Sequence, residues 1–384
     1  MVGSTSSRYR SLGVDISKKG IEALRSITDD LFPASFCSVV KHPTDPERGI
    51  ILHEDGAGSK PIVSYICYRE TGEPRWFEPL AVDVIAMNVD DVVCVGGRPI
   101  AFSDYVALNA LMVKKEDLLG GLARGFSKTF AMLRALGIEV LFSGGETADL
   151  PDIIRTFDVS GTVYGEVSLQ KVITGNEIAP GDVIVGLRSG GRCSYEKGEN
   201  SGLMCNGITL ARHSLLTREY LKKYPEIGCK EVKGYYGRFK VDSQFPELGT
   251  MLGEALLSPT RIYLPIALNI LKRVSVKAMV HNTGGGLTKC KRLGRKIRHV
   301  KDSLPEPDPI FNLIKRESKA DWREMYQDFN MGVGFEVVVE KGDEESILKI
   351  SKKFGVGAQV IGRCERSASG NAVMIKSGFG KFEY

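Results

Sequence analysis

Apolar residues recur at helical spacing through Leu118, Leu122, Phe126, Phe130 and Leu133, and the run stops at Gly137. That pattern predicts an amphipathic helix closed by glycine. A second, weaker helix is expected over roughly 17 to 31. Short β-rich runs at 50 to 53, 100 to 108, 138 to 142 and 156 to 167 lie between and beside these helices. Strands separated by helices, several with long alternating runs, predict α+β or α/β layers rather than a sandwich.

The segment D-V-I-A-M-N-V-D-D at 83 to 91 predicts a helix of another kind. Helical spacing puts Asp83, Met87 and Asp90 on one side with Asp91 beside them, while the rest of the segment is apolar. Carboxylates on such a helix are costly to bury unless they are paired or hold a cation, so the segment is a functional candidate.

Near Pro180 the chain restarts. In E-I-A-P-G-D-V-I-V-G-L a Pro-Gly turn precedes a fresh apolar strand, which is how a second core often begins. Two domains are therefore expected, 1–179 and 180–384, in line with a length of 384 residues that exceeds one typical core. In the second, 258 to 272 reads as a helix with Pro259 near its first turn, and 276 to 281 and 333 to 339 read as strands. The stretch from about 188 to 250, rich in Gly, Lys and Tyr, reads as containing an inserted loop.

Composition narrows the class. No apolar stretch approaches the roughly 20 residues of a membrane helix, and the opening M-V-G-S-T-S-S lacks the apolar core of a signal peptide, so a soluble cytoplasmic protein with no membrane partner is expected. The eight cysteines are scattered with no C-x-x-C pair, which predicts buried, reduced thiols. Net charge is only +5, and the one dense basic stretch, Lys289 to Lys301, has no aromatic interleaving. It reads as a solvated helix face, and nucleic acid is not an expected partner.

The chemistry lies where carboxylates meet glycines: D-G-A-G-S-K at 55 to 60, the acidic helix, and S-G-G-E-T at 143 to 147. A strand ending in a Gly-rich turn offers backbone N–H groups to an anion, and neighbouring Asp and Glu supply the hard oxygens that magnesium prefers. The second half has its own version, His281 running into Asn282-Thr283-Gly284-Gly285-Gly286. Glycine at three consecutive positions lets a phosphate-sized anion approach the backbone closely. Together these segments predict a magnesium-nucleotide site.

Seven ordered segments also carry a resemblance: Y-R-S-L-G-V-D at 9 to 15, D-G-A-G-S-K, D-V-I-A-M-N-V-D-D, S-G-G-E-T-A-D at 143 to 149, S-P-T-R-I-Y at 258 to 263, H-N-T-G-G-G at 281 to 286 and M-Y-Q-D-F-N-M-G-V-G at 325 to 334. With them the chain resembles the phosphoribosylformylglycinamidine cyclo-ligases, also called aminoimidazole ribonucleotide synthetases, nearly end to end. It looks especially like a longer branch with an expanded second-domain loop and a K-F-E-Y terminus. The resemblance implies an α+β fold whose N-terminal strands join those of a second subunit in a shared barrel, hence a homodimer, with a C-terminal α+β domain beside it. It also implies the reaction: ATP phosphorylates the formamide oxygen of formylglycinamidine ribonucleotide, and the amidine nitrogen attacks the resulting iminophosphate to close the imidazole ring.

On that resemblance Asp55 and Asp91 are the magnesium ligands, with Asp90 and Glu146 as direct or supporting partners. Gly56, Gly58, Ser59, Lys60, Gly144 and Gly145 hold the nucleotide, with Lys60 on a phosphate oxygen. His281 stabilises the transferred phosphoryl group or handles a proton. Asn206, Gly207, Thr283, Gly284, Gly285 and Gly286 hold the substrate. Commoner members carry a compact serine-glycine-proline-histidine-serine-asparagine-glycine turn where this chain reads S-G-G-R-C-S-Y-E-K-G-E-N-S-G-L-M-C-N-G from 189 to 207. Tyr195, Glu196 and Arg192 are the candidates to replace the lost His-Ser contacts. Ser59 stands for the usual threonine, and Asp90 for the usual asparagine. Two alternatives stay open: an ATP-dependent enzyme of the same fold with a different substrate, and a non-catalytic nucleotide-binding homologue.

Overall fold

The computed structural model describes residues 8–14 and 20–384. Alternation of apolar and polar residues builds the first sheet, most plainly in Phe157–Ser168. There Phe157, Val159, Gly161, Val163, Gly165 and Val167 turn inward while the residues between them face out. The strands are β1 (Val40–Lys41), β2 (Arg48–Gly56), β3 (Arg98–Leu108), β4 (Leu141–Asp149) and β5 (Phe157–Ser168). They lie in the order β1-β2-β5-β3-β4, with β3 and β4 parallel and the other pairs antiparallel. The sheet is open, and β4 is its edge. Across the outer face, Leu52, Tyr164, Ala101 and Leu141 form one cross-strand row, with Leu52 68% and Leu141 54% exposed.

The inner face is covered by α2 (Glu78–Cys94) and α3 (Lys115–Ala135), which follow α1 (Lys60–Thr71). Phe102 of β3, Phe126 and Phe130 of α3 and Phe142 of β4 form an aromatic cluster beneath α3. Gly125 allows α2 and α3 to touch, because a Cβ there would collide with the Glu78 carbonyl. Gly137, at φ +77°, follows the end of α3, where a left-handed residue suits glycine.

The second sheet has seven strands: β6 (Val183–Arg188), β7 (Val276–His281), β8 (Ile297–Lys301), β9 (Val333–Val339), β10 (Ala358–Arg366), β11 (Ala372–Ser377) and β12 (Gly380–Glu383). Their order is β7-β9-β6-β10-β8-β11-β12, with only β8 and β11 parallel. Every residue of β9 is buried. Its one charge, Glu336, is neutralised by Lys301 of β8 at 2.5 Å. The helices of this half are α4 (Ile208–Leu215), α5 (Leu264–Leu271), α6 (Pro309–Ser318), α7 (Trp322–Asp328) and α8 (Glu344–Lys353), besides one-turn pieces. Helix α2 packs against β2, β3 and β5 on one side and β7 and α5 on the other, so the acidic helix lies between the two sheets.

Several expected elements differ. Of 17 to 31, residues 17–19 lie outside the described residues. The rest contains only the single turn Glu22–Arg25, since Leu24 and Ile27 stay 66% and 78% exposed with no core to cover them. The strand expected at 138 to 142 begins at Leu141 and runs through S-G-G-E-T, which is therefore strand and not a terminal turn. The helix expected from 258 starts at Leu264, because the N–H groups of Thr260 and Tyr263 are drawn to carboxylates of α2. The basic stretch from Lys289 is no helix face: a 3-10 segment, Gly286–Arg292, leads into β8, and Lys301 is fully buried. Of the cysteines, six are buried, Cys205 is half-buried and Cys229 is exposed; all are free. Among the described residues, no helix is long and apolar enough to cross a membrane.

Candidate active site between the two sheets

Strand β2 places His53 and Asp55 on its inner face, two residues apart as the pleat requires, and then turns through Ala57, Gly58 and Ser59 into α1. Gly58 has φ +58°, a conformation glycine adopts freely. α2 directs Asn88 toward β2, Asp90 toward the start of α5 and Asp91 toward β7, which ends on His281.

Asp91 ties these elements together. Its Oδ1 accepts a hydrogen bond from His281 Nδ1 at 2.8 Å. Its Oδ2 lies 3.4 Å from His53 Nε2 and 3.8 Å from Lys289 Nζ. Burial raises the Asp91 carboxyl, but the Lys289 ammonium and the hydrogen bonds from His281 and His53 outweigh it and hold the group well below the usual range. His281 is fully buried, and burial lowers its pKa despite the Asp91 bond. With the Nδ1 proton assigned toward an ionised Asp91, Nε2 carries the free lone pair, and that atom has no hydrogen-bond partner.

His53 behaves oppositely. Burial opposes its charge, yet the hydrogen bond and charge of Asp91, with Asn88, carry it above the ordinary histidine value. Asn88 receives His53 Nδ1 at 3.0 Å and donates to the Asp55 carbonyl at 3.1 Å. Asp55 gives Oδ1 to the Gly56 N–H, and burial together with the charge of Asp91 raises its pKa. Lys289 donates to Thr283 Oγ1 at 2.6 Å and lies over the Phe36 ring. Burial lowers its pKa, and Asp91 partly restores it.

The expected site residues divide. Asp55, Asp91 and His281 come together. So do the expected substrate residues: Asn206 Nδ2 bridges the carbonyls of Asn282 and Thr283 at 2.7 and 2.6 Å, while Gly207 and Gly286 both abut Phe329. Gly284 is open, and Gly285 turns at φ +95°. Ser59 Oγ meets Thr209 Oγ1 at 2.9 Å, joining the first glycine turn to α4.

Other residues are placed differently. Lys60 is fully buried, with Nζ bound to both Asp83 oxygens at 2.9 and 3.0 Å and to the Ser258 carbonyl at 2.7 Å. All three ammonium protons are spent, leaving none for a phosphate. Asp90 gives both oxygens to the N–H groups of Tyr263 and Leu264 at 2.8 and 2.7 Å. Burial nevertheless pushes it well above the ordinary carboxylate value. Its work is to anchor the start of α5. Glu146 shares a cross-strand row with Tyr105, Ser160 and Gly56, whereas Asp55 shares one with Gly161, Asp104 and Gly145. Glu146 is exposed on the other face, and Gly144 and Gly145 lie three strands from Asp55, about 14 Å at the usual spacing.

The long loop is held from within. Arg261, fully buried, donates to both Glu196 oxygens and to the carbonyls of Arg188, Gly190 and Gly191. Tyr195 donates to the Ile262 carbonyl. Both residues fasten the loop, and Arg192 pairs with Glu199 at the surface.

Sequence reasoning missed His53, Asn88 and Lys289. His53 was visible as the same-face neighbour of Asp55, and Asn88 lay within the acidic helix. Lys289 was hidden inside a run read as solvated.

Residues 36–167 match the family described as AIR synthase related protein, N-terminal domain, and residues 179–375 match its C-terminal domain. The chain belongs to the AIR synthase related family. Two curated relatives carry the name phosphoribosylformylglycinamidine cyclo-ligase. The relative from Methanocaldococcus jannaschii is 36% identical over 384 residues, covering 96% of each chain. The relative from Methanococcus maripaludis strain C7 is 35% identical over 371 residues, 94% of this chain and 93% of its own. The fold is similar to that of AaThiL complexed with AMPPCP and TMP, at TM-score 0.56 and 15% identity over 95% of each chain.

The Lys60–Asp83 pair makes a prediction. Breaking a buried pair leaves an uncompensated charge, at a cost of about 3–5 kcal/mol. Asp83→Asn should lower the thermal midpoint accordingly, and an unchanged midpoint would contradict the pairing.

Proposed function

We propose that this chain catalyses the ATP-dependent cyclisation of formylglycinamidine ribonucleotide to 5-aminoimidazole ribonucleotide in purine biosynthesis. The observation that carries this reading is Asp91, which binds His281 at the head of one glycine turn and faces His53 beside the other. The cyclo-ligase relatives, matched nearly end to end, supply the substrate.

The reaction asks the protein to neutralise a triphosphate, align the formamide oxygen and exclude water. Gly56, Gly58 and Ser59 cradle the nucleotide phosphates, and Thr283 to Gly286 with Asn206 and Gly207 hold the substrate. Lys289, rather than Lys60, is the cation nearest the phosphate path, because its ammonium has one hydrogen bond to a described residue, Thr283, besides the Phe36 ring and the longer approach to Asp91. His281 takes or returns a proton at Nε2, the ring atom without a hydrogen-bond partner and 3.9 Å from Asp90 Oδ2, as a neutral imidazole can.

Magnesium fits this donor set as an ion shared with the nucleotide. Among the described residues no group of three or more His, Cys, Asp or Glu is arranged to hold a metal. Magnesium, however, is commonly held by one or two carboxylates together with phosphate oxygens and water. Asp55 Oδ2 takes no hydrogen bond from a described residue, and Asp91 Oδ2 has only the looser contacts at 3.4 and 3.8 Å. These two carboxylates would hold the ion, which when bound neutralises phosphate charge.

The active form is a homodimer in which the open N-terminal sheets of two chains complete a shared barrel. The apolar row Leu52, Tyr164, Ala101 and Leu141 and the bare edge of β4 support it, since a contiguous exposed apolar face and an unpaired edge both invite a partner.

Purified protein given formylglycinamidine ribonucleotide, ATP and magnesium should yield ADP and 5-aminoimidazole ribonucleotide; no turnover at any magnesium concentration would refute the reading. Asp55→Asn should cut turnover by about 10²-fold or more while the fold persists, and full activity would remove Asp55 from the metal site. Leu141→Asp should shift the protein from dimer to monomer in sedimentation; an unaltered mass would move the dimer contact elsewhere.

A further inference from the structure

Asp328 closes α7 and is only 5% exposed, yet its Oδ2 has no hydrogen-bond partner. A buried carboxyl without a partner is costly and calls for an explanation. Its surroundings supply one. The carbonyls of its two neighbours, Gln327 and Phe329, press against Gly286, and the Phe329 ring fills the space left by Gly207. Tyr9, on the short helix Arg8–Ser11, feels the charge of Asp328 and lies beside Thr209. Thr209 in turn meets Ser59. The residues on either side of the carboxyl thus touch the substrate turns at Gly207 and Gly286, and Tyr9 beside it leads through Thr209 to the nucleotide turn at Ser59.

We propose that Asp328 is a further catalytic residue, which receives the cationic amidine of the substrate and takes its proton as the ring closes. The inference rests on the reaction proposed above. An amidine is protonated near neutral pH, and the protonated group has no free lone pair with which to attack. Asp328 Oδ2 takes an N–H proton, and the freed nitrogen lone pair forms the C–N bond to the phosphorylated formyl carbon. The C–O bond to phosphate breaks, and phosphate leaves with that electron pair. The positive charge then on the ring is discharged when a methylene C–H gives its proton to the departing phosphate, which makes the ring aromatic.

The environment suits a proton acceptor. Burial, with the nearby charges of Glu324 and Asp321 on the same helix, pushes Asp328 up to about 7, close to the working pH of a general base. From the other elements packed here, Tyr9 and Tyr384 feel its charge, and Arg212 of α4 lies beside Tyr9.

The test is Asp328→Asn in the full chain. The rate of ring closure should fall at least about 100-fold, with KM for ATP unchanged and the acidic limb of the pH–rate profile near pH 7 lost. Exchange of 18O between the β,γ-bridge and non-bridge positions of ATP in the presence of substrate should persist, because phosphoryl transfer precedes the step. Asp328→Glu should restore part of the rate. A raised carboxyl pKa stabilises the fold fully below pH 3.8 and loses that contribution as pH rises through about 7. The Asn variant should therefore melt at or above wild type at pH 8, which shows it folded. An active wild type with an unimpaired Asn variant, or with oxygen exchange lost along with ring closure, overturns the role of Asp328 alone. A wild type that forms no aminoimidazole ribonucleotide overturns the reaction and this step together.

Discussion

The structure depends on a helix that carries charge through an apolar interior. α2 is buried along most of its length, and its three buried carboxylates survive there because each has been given a different answer to desolvation. Asp83 meets an ammonium, Asp90 meets two backbone N–H groups, and Asp91 meets two imidazoles and a lysine. Lys60 and His53 come from the first half of the chain, but Thr260, Tyr263, Leu264, His281 and Lys289 come from the second, so satisfying the charges also fixes how the two sheets are arranged. A buried polar network is costly when half satisfied and specifying when complete.

Only the last of the three answers leaves chemistry available. The Asp83 and Asp90 contacts consume every polar atom they involve, which makes them struts. Around Asp91 one carboxylate oxygen keeps only long contacts, one imidazole nitrogen has no partner, and the nearby ammonium is held by a single hydroxyl and a ring face. Incomplete satisfaction beside two fully bonded carboxylates is what a ligand would complete. Asp328, whose neighbours touch the turn at Gly286, also has an unpartnered oxygen.

Much of this was legible in the chain itself. The acidic helix, the turn at Gly58, strand β7 and the helix ending before Gly137 follow from local pattern, and the family follows from ordered motifs. What local pattern could not give is which of several similar groups faces which. Lys60 and Lys289 are both lysines beside glycines, and only the tertiary position of Asp83 spends one and spares the other. Glu146 sits in a motif as suggestive as that of Asp55, but the sheet register turns it to the other face. The helix expected over 258 to 272 lost its first turn because carboxylates far away in sequence took its N–H groups. In each case a long-range polar contact overrode a sound local reading.

The claim that Asp91 is the site's working carboxylate is tested most directly by calorimetric titration of magnesium and ADP into wild type, Asp91→Asn and Glu146→Gln. Magnesium-dependent binding lost in Asp91→Asn and retained in Glu146→Gln is the expected result. Binding by Asp91→Asn at wild-type affinity would contradict the account.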